Sequence, residues 1–393
     1  MVVGGSLGGV NAALWLGDAG WDVRVLERSS SPLEGRGAGI VLHPATVRWL
    51  IEHRQGSLAD VSAPASWLRY LDGEGSVVHQ SPSRYRFTSW TTLYRRLLAC
   101  LDRERYRMGA EVTGVDATAG GFSVRMAGGE VLEADLLVAA DGVASTVRSI
   151  LLPGVRPTYA GYVAWRGTLS DTQVSGRTFA LLHEAITYHV MPRSHILSYP
   201  IPGTTAAETP KGRRLNWVWY RNVADGEPLD DLMTDVDGVR HPLSLPPTTV
   251  RGRHLDELAA AAERLPPPLA EMVTATTYPF VQLIVDIAVP RMVVGRTCLM
   301  GDAAFALRPH AAAGTAKAAE DAWVLARELS AAPDDVPAAL ARWERRQLRL
   351  GRQVQARTCD AGHRSQVAGT WVVGDPLPFG LHAVGDSALG DAE

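Results

Sequence analysis

Cysteine is scarce in this chain: three in 393 residues, at Cys100, Cys298 and Cys359. They lie far apart in sequence and suggest neither a disulfide framework nor a zinc site, so no metal is expected and a reducing, cytoplasmic setting is the simplest reading. Also missing are any apolar run long enough to cross a bilayer and any basic-then-apolar leader. The formal net charge is only −3, which gives no electrostatic ground for nucleic acid or an acidic membrane as partner. What remains is ordinary for a soluble enzyme. Hydrophobic residues make up 46% and charged residues 21%, and the length accommodates two or three cooperating units around a large core.

The chain opens on Met1-Val2-Val3 and then Gly4-Gly5-Ser6-Leu7-Gly8-Gly9, the end of a strand turning into a helix. Gly20 stops that helix, and Trp21 to Glu27 alternates like a second strand, so the unit is βαβ. Such a turn lets a pyrophosphate approach the backbone and meet the amides of a helix N-terminus. Gly4 and Gly9 hold the first and third glycine positions of a dinucleotide fingerprint; Ser6 replaces the second, and its hydroxyl can donate to a phosphate. Glu27 closes the second strand, where a carboxylate accepts ribose hydroxyls. Three residues are short for the first strand, which either continues before Met1 or frays.

Two later segments share a pattern. Ala134 to Gly142 is an apolar strand ending in Asp141-Gly142, and Arg296 to Ala304 is another ending in Gly301-Asp302. Arg308 to Gly314 follows, and then a helix from Thr315 to about Leu329. Taken singly, each is an ordinary strand-to-helix turn capped by Asp. An acid beside small residues also suits a ribityl chain, and Gly314 at a helix start suits a pyrophosphate or flavin carbonyl.

In this order the three segments resemble those of the class A flavoprotein monooxygenases, the para-hydroxybenzoate hydroxylase-like family. The resemblance implies an α/β (α+β two-domain) fold: a Rossmann-like FAD-binding domain, an antiparallel-sheet substrate domain and C-terminal helices. It divides the chain into FAD-binding parts at 1–155 and 285–345, a substrate sheet at 156–284, and a C-terminal helix and tail at 346–393. By the same resemblance Gly4, Ser6, Gly9, Glu27 and Arg28 hold the ADP half of FAD. Asp141 and Gly142 serve FAD and the nicotinamide cofactor, Gly301 and Asp302 meet the ribityl chain, and Pro309 to Gly314 line the flavin. The segment Gly37–Pro44, with Gly39, passes beside the ring. Phe305, Lys317 and Trp90 depart from the family's frequent His, Asn and Arg. Thr158–Gly167, Tyr199–Gly203, Asp231–Val236 and Arg308–Gly314 are similar to the 2,6-dihydroxypyridine hydroxylase branch, which implies a hydroxylated nitrogen heterocycle or comparably electron-rich ring as substrate.

Between about 156 and 284, alternating aromatic-rich stretches (Ala160–Leu169, Thr178–Met191, His195–Pro200, Leu215–Val223) read as an antiparallel sheet. Its aromatic candidates for a substrate wall are Tyr188, Tyr199, Trp217, Trp219 and Tyr220, with the hydroxyls of Tyr188 and Tyr199 favoured for orienting a ring. After Thr370 the composition reads as a loose tail. The expected activity is hydroxylation of a small aromatic or heteroaromatic ring with NADH or NADPH and O2, through a flavin C4a-hydroperoxide. His43 and His310 are the candidate bases, while His189 and His195 are as compatible with solvent. Only one dinucleotide fingerprint is present, so the nicotinamide cofactor has no dedicated Rossmann unit and Glu27 does not choose between NADH and NADPH. A homodimer follows from the resemblance alone. An epoxidase, a Baeyer–Villiger-type oxygenase, an oxidase, or a flavoprotein without catalysis fits the same motifs.

Overall fold

The computed structural model describes residues 1–33, 39–118, 120–203 and 213–389; Gly37 and Ala38 of the Gly37–Pro44 segment lie outside them. Three sheets organise the chain. The first has six strands in the order Val293–Val294, Thr297–Leu299, Leu137–Ala139, Val2–Val3, Val25–Leu26 and Tyr106–Arg107. All neighbours run parallel except the outermost pair, Val293–Val294 with Thr297–Leu299. The four central strands are short, fully buried runs because both faces are covered.

Helix Leu7–Asp18 lies against helix Gly314–Ser330 through small residues; an ideal Cβ at Gly8 would sit 3.4 Å from the Ala318 methyl. Gly20, at φ +86°, turns the chain out of the first helix. A three-stranded antiparallel meander, Val112–Ala117, Phe122–Met126 and Val131–Ala134, flanks this body.

The large sheet has nine strands, ordered Ser244–Leu245, Phe280–Asp286, Thr158–Ser170, Arg213–Asn222, Ser194–Pro202, Ala185–Met191, Ala63–Leu71, Val77–Ser89 and Gly39–Leu42. It is antiparallel except where Ala185–Met191 meets Ala63–Leu71. The sheet thus extends beyond 156–284, taking three strands from 39–89. Within the expected Thr178–Met191 strand, residues 178–182 are instead helical, part of Gly176–Leu182, because the Ser175 hydroxyl accepts the Thr178 N–H and starts a turn.

Strand alternation sorts the aromatic candidates. Trp165, Trp217 and Trp219 bury on the face shared with Leu258, Leu269 and Met272 of two covering helices, Gly252–Ala262 and Pro267–Ala275. Tyr162, Tyr188, Tyr199 and Tyr220 occupy the opposite face. The period of two means that Trp217 and Tyr220 cannot share a side.

Helix Val336–His363 continues into a wider turn at Arg364–Ala368 and ends at Gly369, φ +65°. The tail beyond it is irregular but not loose. Leu377, Phe379 and Leu381 are buried, and the Gly380 N–H donates to Ala311 at 3.0 Å. Each buried apolar side chain contributes roughly 1.5–3 kcal/mol, which secures a segment whose Gly and Pro content alone reads as flexible.

Candidate active site

The glycine turn is sterically obligatory. An ideal Cβ on Gly4, at φ +97°, would meet the Ala140 carbonyl oxygen at 2.4 Å, and one on Gly9 would meet the Gly4 oxygen at 1.8 Å. Ser6 precedes the first helical residue but its hydroxyl does not cap the helix, so hydroxyl and first-turn amides are left for a ligand. Glu27 is buried; one oxygen accepts the Gly5 N–H and the other the Ser29 N–H, each at 2.8 Å. A carboxylate has lone pairs to spare after two such bonds. Gly4, Ser6, Glu27, Arg28, Asp141, Gly142 and Trp90 line a pocket of about 300 Å³ at this end.

Asp141 accepts the Ser145 hydroxyl at 2.5 Å and the Val147 N–H at 3.1 Å, fixing the start of helix Thr146–Leu151. Burial pushes its carboxyl up. Gly142, at φ +77°, makes the turn between strand and helix.

A second, larger cleft of about 830 Å³ runs from Ser6, Gly142, Gly301 and Asp302 past Pro309, His310 and Gly314 to the tyrosine face of the nine-stranded sheet, where Gly39, Tyr188 and Tyr199 also line it. Asp302 is exposed to the cleft it lines, and the surrounding protein raises its carboxyl to about 6. The Gly301 N–H donates to Asp321 at 3.0 Å, and Asp321 also binds the buried Lys317 ammonium. Ala312, at φ +53°, turns the chain into helix Gly314–Ser330, whose first residues carry no side-chain cap.

On the sheet side, His195, His310, Tyr220 and Trp371 form one aromatic cluster. His195 lies 4.8 Å from Tyr220, 5.3 Å from Trp371 and 5.6 Å from His310, between ring centres. His310 Nε2 is 2.8 Å from the Tyr162 hydroxyl, and its Nδ1 has no hydrogen-bond partner among the described residues. His195 Nδ1 meets the Ser365 hydroxyl at 2.5 Å. Burial lowers His195 to about 3 and His310 well below the usual histidine range, with His195 and Arg308 adding to the latter effect. Both rings are neutral at pH 7.

The nominated residues separate clearly. His310, Tyr188 and Tyr199 reach the cleft. His43 does not line it: Nδ1 accepts the Ala45 N–H at 3.1 Å, capping helix Pro44–Glu52, and Nε2 meets Asp386 at 3.0 Å. Both ring nitrogens are occupied by structure, which removes the base assigned to it. The Tyr199 hydroxyl donates to the Gly39 carbonyl at 2.6 Å, while Asn216 accepts the Gly39 N–H at 2.8 Å, so that tyrosine clamps the Gly39 peptide. His189 faces away and binds the Leu71 carbonyl at 2.9 Å. His195, in contrast, is buried in the cleft wall, not solvated. Its alternation with Leu197 and Tyr199 along one strand was the available signal. Trp371 had none, because nothing local marks a tail residue as part of a site.

Comparison with known proteins agrees with this geometry. Residues 1–193 match the FAD binding domain family, and residues 159–286 match the FAD binding domain-like family. The chain is 41% identical over 391 residues to the 2,6-dihydroxypyridine 3-monooxygenase of Paenarthrobacter nicotinovorans, covering 99% of this chain and 97% of that protein. This chain belongs to the class A FAD-dependent monooxygenases. A 3-amino-4-hydroxybenzoate 2-monooxygenase of Streptomyces platensis is 29% identical over 380 residues, covering 92% and 87%. The solved structure of 2,6-dihydroxypyridine-3-hydroxylase from Arthrobacter nicotinovorans superposes with a TM-score of 0.93 at 40% identity, covering 98% and 96%. Klebsiella pneumoniae HpxO, complexed with FAD and uric acid, shares the fold at a TM-score of 0.75 and 23% identity, covering 93% and 88%.

The monooxygenase's residues fit FAD. The two glycines permit backbone approach, the uncapped helix start at Ser6 offers amides to a pyrophosphate, and Asp302 presents an exposed carboxylate to the cleft.

Proposed function

We propose that this monooxygenase hydroxylates a small, electron-rich hydroxylated ring, in the first instance a hydroxypyridine or related N-heteroaromatic, at the expense of NADH or NADPH. The observation that carries the reading is the single cleft joining Ser6, Asp302 and Gly314 to a buried wall of Tyr188, His195, Tyr220 and His310. The 41% identity to a 2,6-dihydroxypyridine 3-monooxygenase supports it independently.

In this proposal residues 1–155 and 285–345 hold FAD, through Gly4, Ser6, Gly9, Glu27, Arg28, Gly39, Asp141, Gly142, Gly301, Asp302, Pro309 and Gly314. Residues 156–284 supply most of the substrate wall, and the chain works as a cytoplasmic enzyme, by family resemblance a homodimer. FAD, when bound, takes hydride from the nicotinamide and activates O2 for delivery of one oxygen atom to the ring.

The protein's own part is orientation, dryness and proton management. Tyr188 stacks on Tyr70 at 5.4 Å and lies 6.2 Å from Trp371, which closes an apolar wall that excludes water. A ring hydroxyl reacts best as its oxyanion, so its proton must leave. His195 and His310 are uncharged acceptors or donors while the cleft holds no charge. An oxyanion alongside favours their protonated forms, which couples ring ionisation to proton uptake. Tyr162 links His310 towards Arg308, which binds Asp286 through two nitrogens at 2.6–3.0 Å.

The test is NADH and NADPH oxidation by the FAD-loaded enzyme across dihydroxypyridines, phenols and bicyclic aromatics. Stimulation by hydroxypyridines above simple phenols supports the substrate class; equal stimulation, or none, contradicts it.

A further inference from the structure

The segment Asp231–Val236 contributes nothing to the FAD end of the cleft, yet the hairpin it begins ends on a cleft residue. His241 N–H donates to Met233 at 2.8 Å, Asp235 N–H to Val239 at 3.0 Å, and Thr234 bridges Arg240, with Gly238 at φ +80° making the turn. Asp235 is the pin of this hairpin. One carboxylate oxygen accepts the N–H groups of Asp237 and Val239 at 2.9 and 2.8 Å; the other meets His241 Nε2 at 2.7 Å. The His241 contact, with the two backbone donors, holds the Asp235 carboxyl below its ordinary range. A carboxylate can only accept, so Nε2 carries the proton and a neutral His241 presents Nδ1 as a bare acceptor. No described residue bonds to that nitrogen.

His241 lines the cleft together with Ser244, Phe280 and Gln282. Strand register places this corner. His195, Tyr220, Ala164, Gln282 and Ser244 are successive partners across five strands, one row of a single face. At the usual strand spacing, Tyr220 and Ser244 are roughly 14 Å apart, with the small Ala164 between Tyr220 and Gln282. A ring held against Tyr220 thus stands about three strand spacings from Ser244, whose end of the cleft His241 also lines.

We propose that His241, oriented by Asp235, determines specificity by accepting a hydrogen bond from a donor on a substituent of the substrate, so that the preferred substrate is a hydroxylated ring bearing a polar arm. This rests on the proposed function.

The test measures dissociation constants from flavin absorbance changes on the FAD-loaded enzyme. The probes are 2,6-dihydroxypyridine, its derivatives with a hydroxyethyl arm at each free ring position, and their methoxyethyl counterparts. The expected result is one hydroxyethyl ring bound about tenfold tighter than its methoxyethyl partner, the worth of one hydrogen bond. His241→Leu abolishes that preference without changing affinity for the parent ring, and Asp235→Asn reduces it. Equal binding of every hydroxyethyl and methoxyethyl pair overturns the inference and leaves the functional reading intact. So does a His241→Leu protein that loses thermal stability and binds all rings equally less well. If no ring binds the wild-type enzyme, the functional reading falls and this inference with it.

Discussion

The Lys317 ammonium is bound to one oxygen of the Asp321 carboxylate, and the other oxygen accepts the N–H of Gly301 at 3.0 Å. Both side chains are essentially inaccessible to solvent. The pair therefore ties helix Gly314–Ser330 to the Gly301-Asp302 turn, at a position where the family often carries Asn. Removing one partner of a buried pair strands the other charge, at a cost of about 3–5 kcal/mol. Lys317→Met should lower the denaturation midpoint accordingly and weaken FAD retention. The double variant Lys317→Met, Asp321→Asn should recover most of the stability, because the amide oxygen still accepts from Gly301. Urea denaturation and FAD titration check both; an unchanged Lys317→Met protein contradicts this role.

As the proposed acceptor for the ribityl hydroxyls, Asp302 should give FAD binding a pH dependence of definite sign. Its carboxyl in the free protein is raised to about 6 by the protein packed around the cleft. Ribityl hydroxyls donate to the ionised form, so affinity should fall as pH drops through 6, approaching tenfold per unit below it. Asp302→Ala should bind FAD weakly at every pH, and Asp302→Asn should lose the pH dependence. FAD affinity of the wild type that stays flat between pH 5 and 8 would contradict the assignment.

Much of this architecture was legible in the sequence, and what was not has a physical cause. The glycine turn, Asp141-Gly142 and Gly301-Asp302 are local, because each must shape its own backbone. The nine-stranded sheet was legible in its middle, but its extension through 39–89 depends on long-range pairing, such as Trp67 with Ala185, that no local pattern encodes. His43 misled because a histidine beside a flavin segment reads alike as a base or a helix cap, and only Asp386, 343 residues away, decides between them. Tyr199 lines the cleft, but its hydroxyl is committed to Gly39, a bond no local pattern encodes.

Tyr199→Phe should accordingly behave as the loss of a positioning contact. Removing the hydroxyl leaves the buried Gly39 carbonyl without that donor, a cost of roughly 1–3 kcal/mol. Thermal unfolding should register it, and FAD affinity should fall modestly. A loss of kcat by several orders of magnitude with stability unchanged would return Tyr199 to a direct chemical role.

Two buried neutral histidines should make the fold acid-sensitive well above the carboxylate range. His195 and His310 are held below the unfolded value of 6.5, chiefly by burial. Their stabilisation is complete above pH 6.5 and is lost as pH falls, because the unfolded chain then binds protons that the native one refuses. Each contributes about 1.4 kcal/mol per pH unit below that point. Denaturation midpoints between pH 7.5 and 5 should fall steeply, and His195→Gln should remove about half of this slope. A midpoint independent of pH across that window excludes neutral, buried rings.

The measurement that bears most directly on the central claim is turnover of 2,6-dihydroxypyridine with NADH or NADPH under oxygen-18 gas, with product mass and peroxide recorded together. A product heavier than the substrate by one oxygen-18 atom, formed in step with nicotinamide oxidation, is the predicted result. Nicotinamide oxidation that yields only hydrogen peroxide and an unaltered ring would contradict hydroxylation of this substrate.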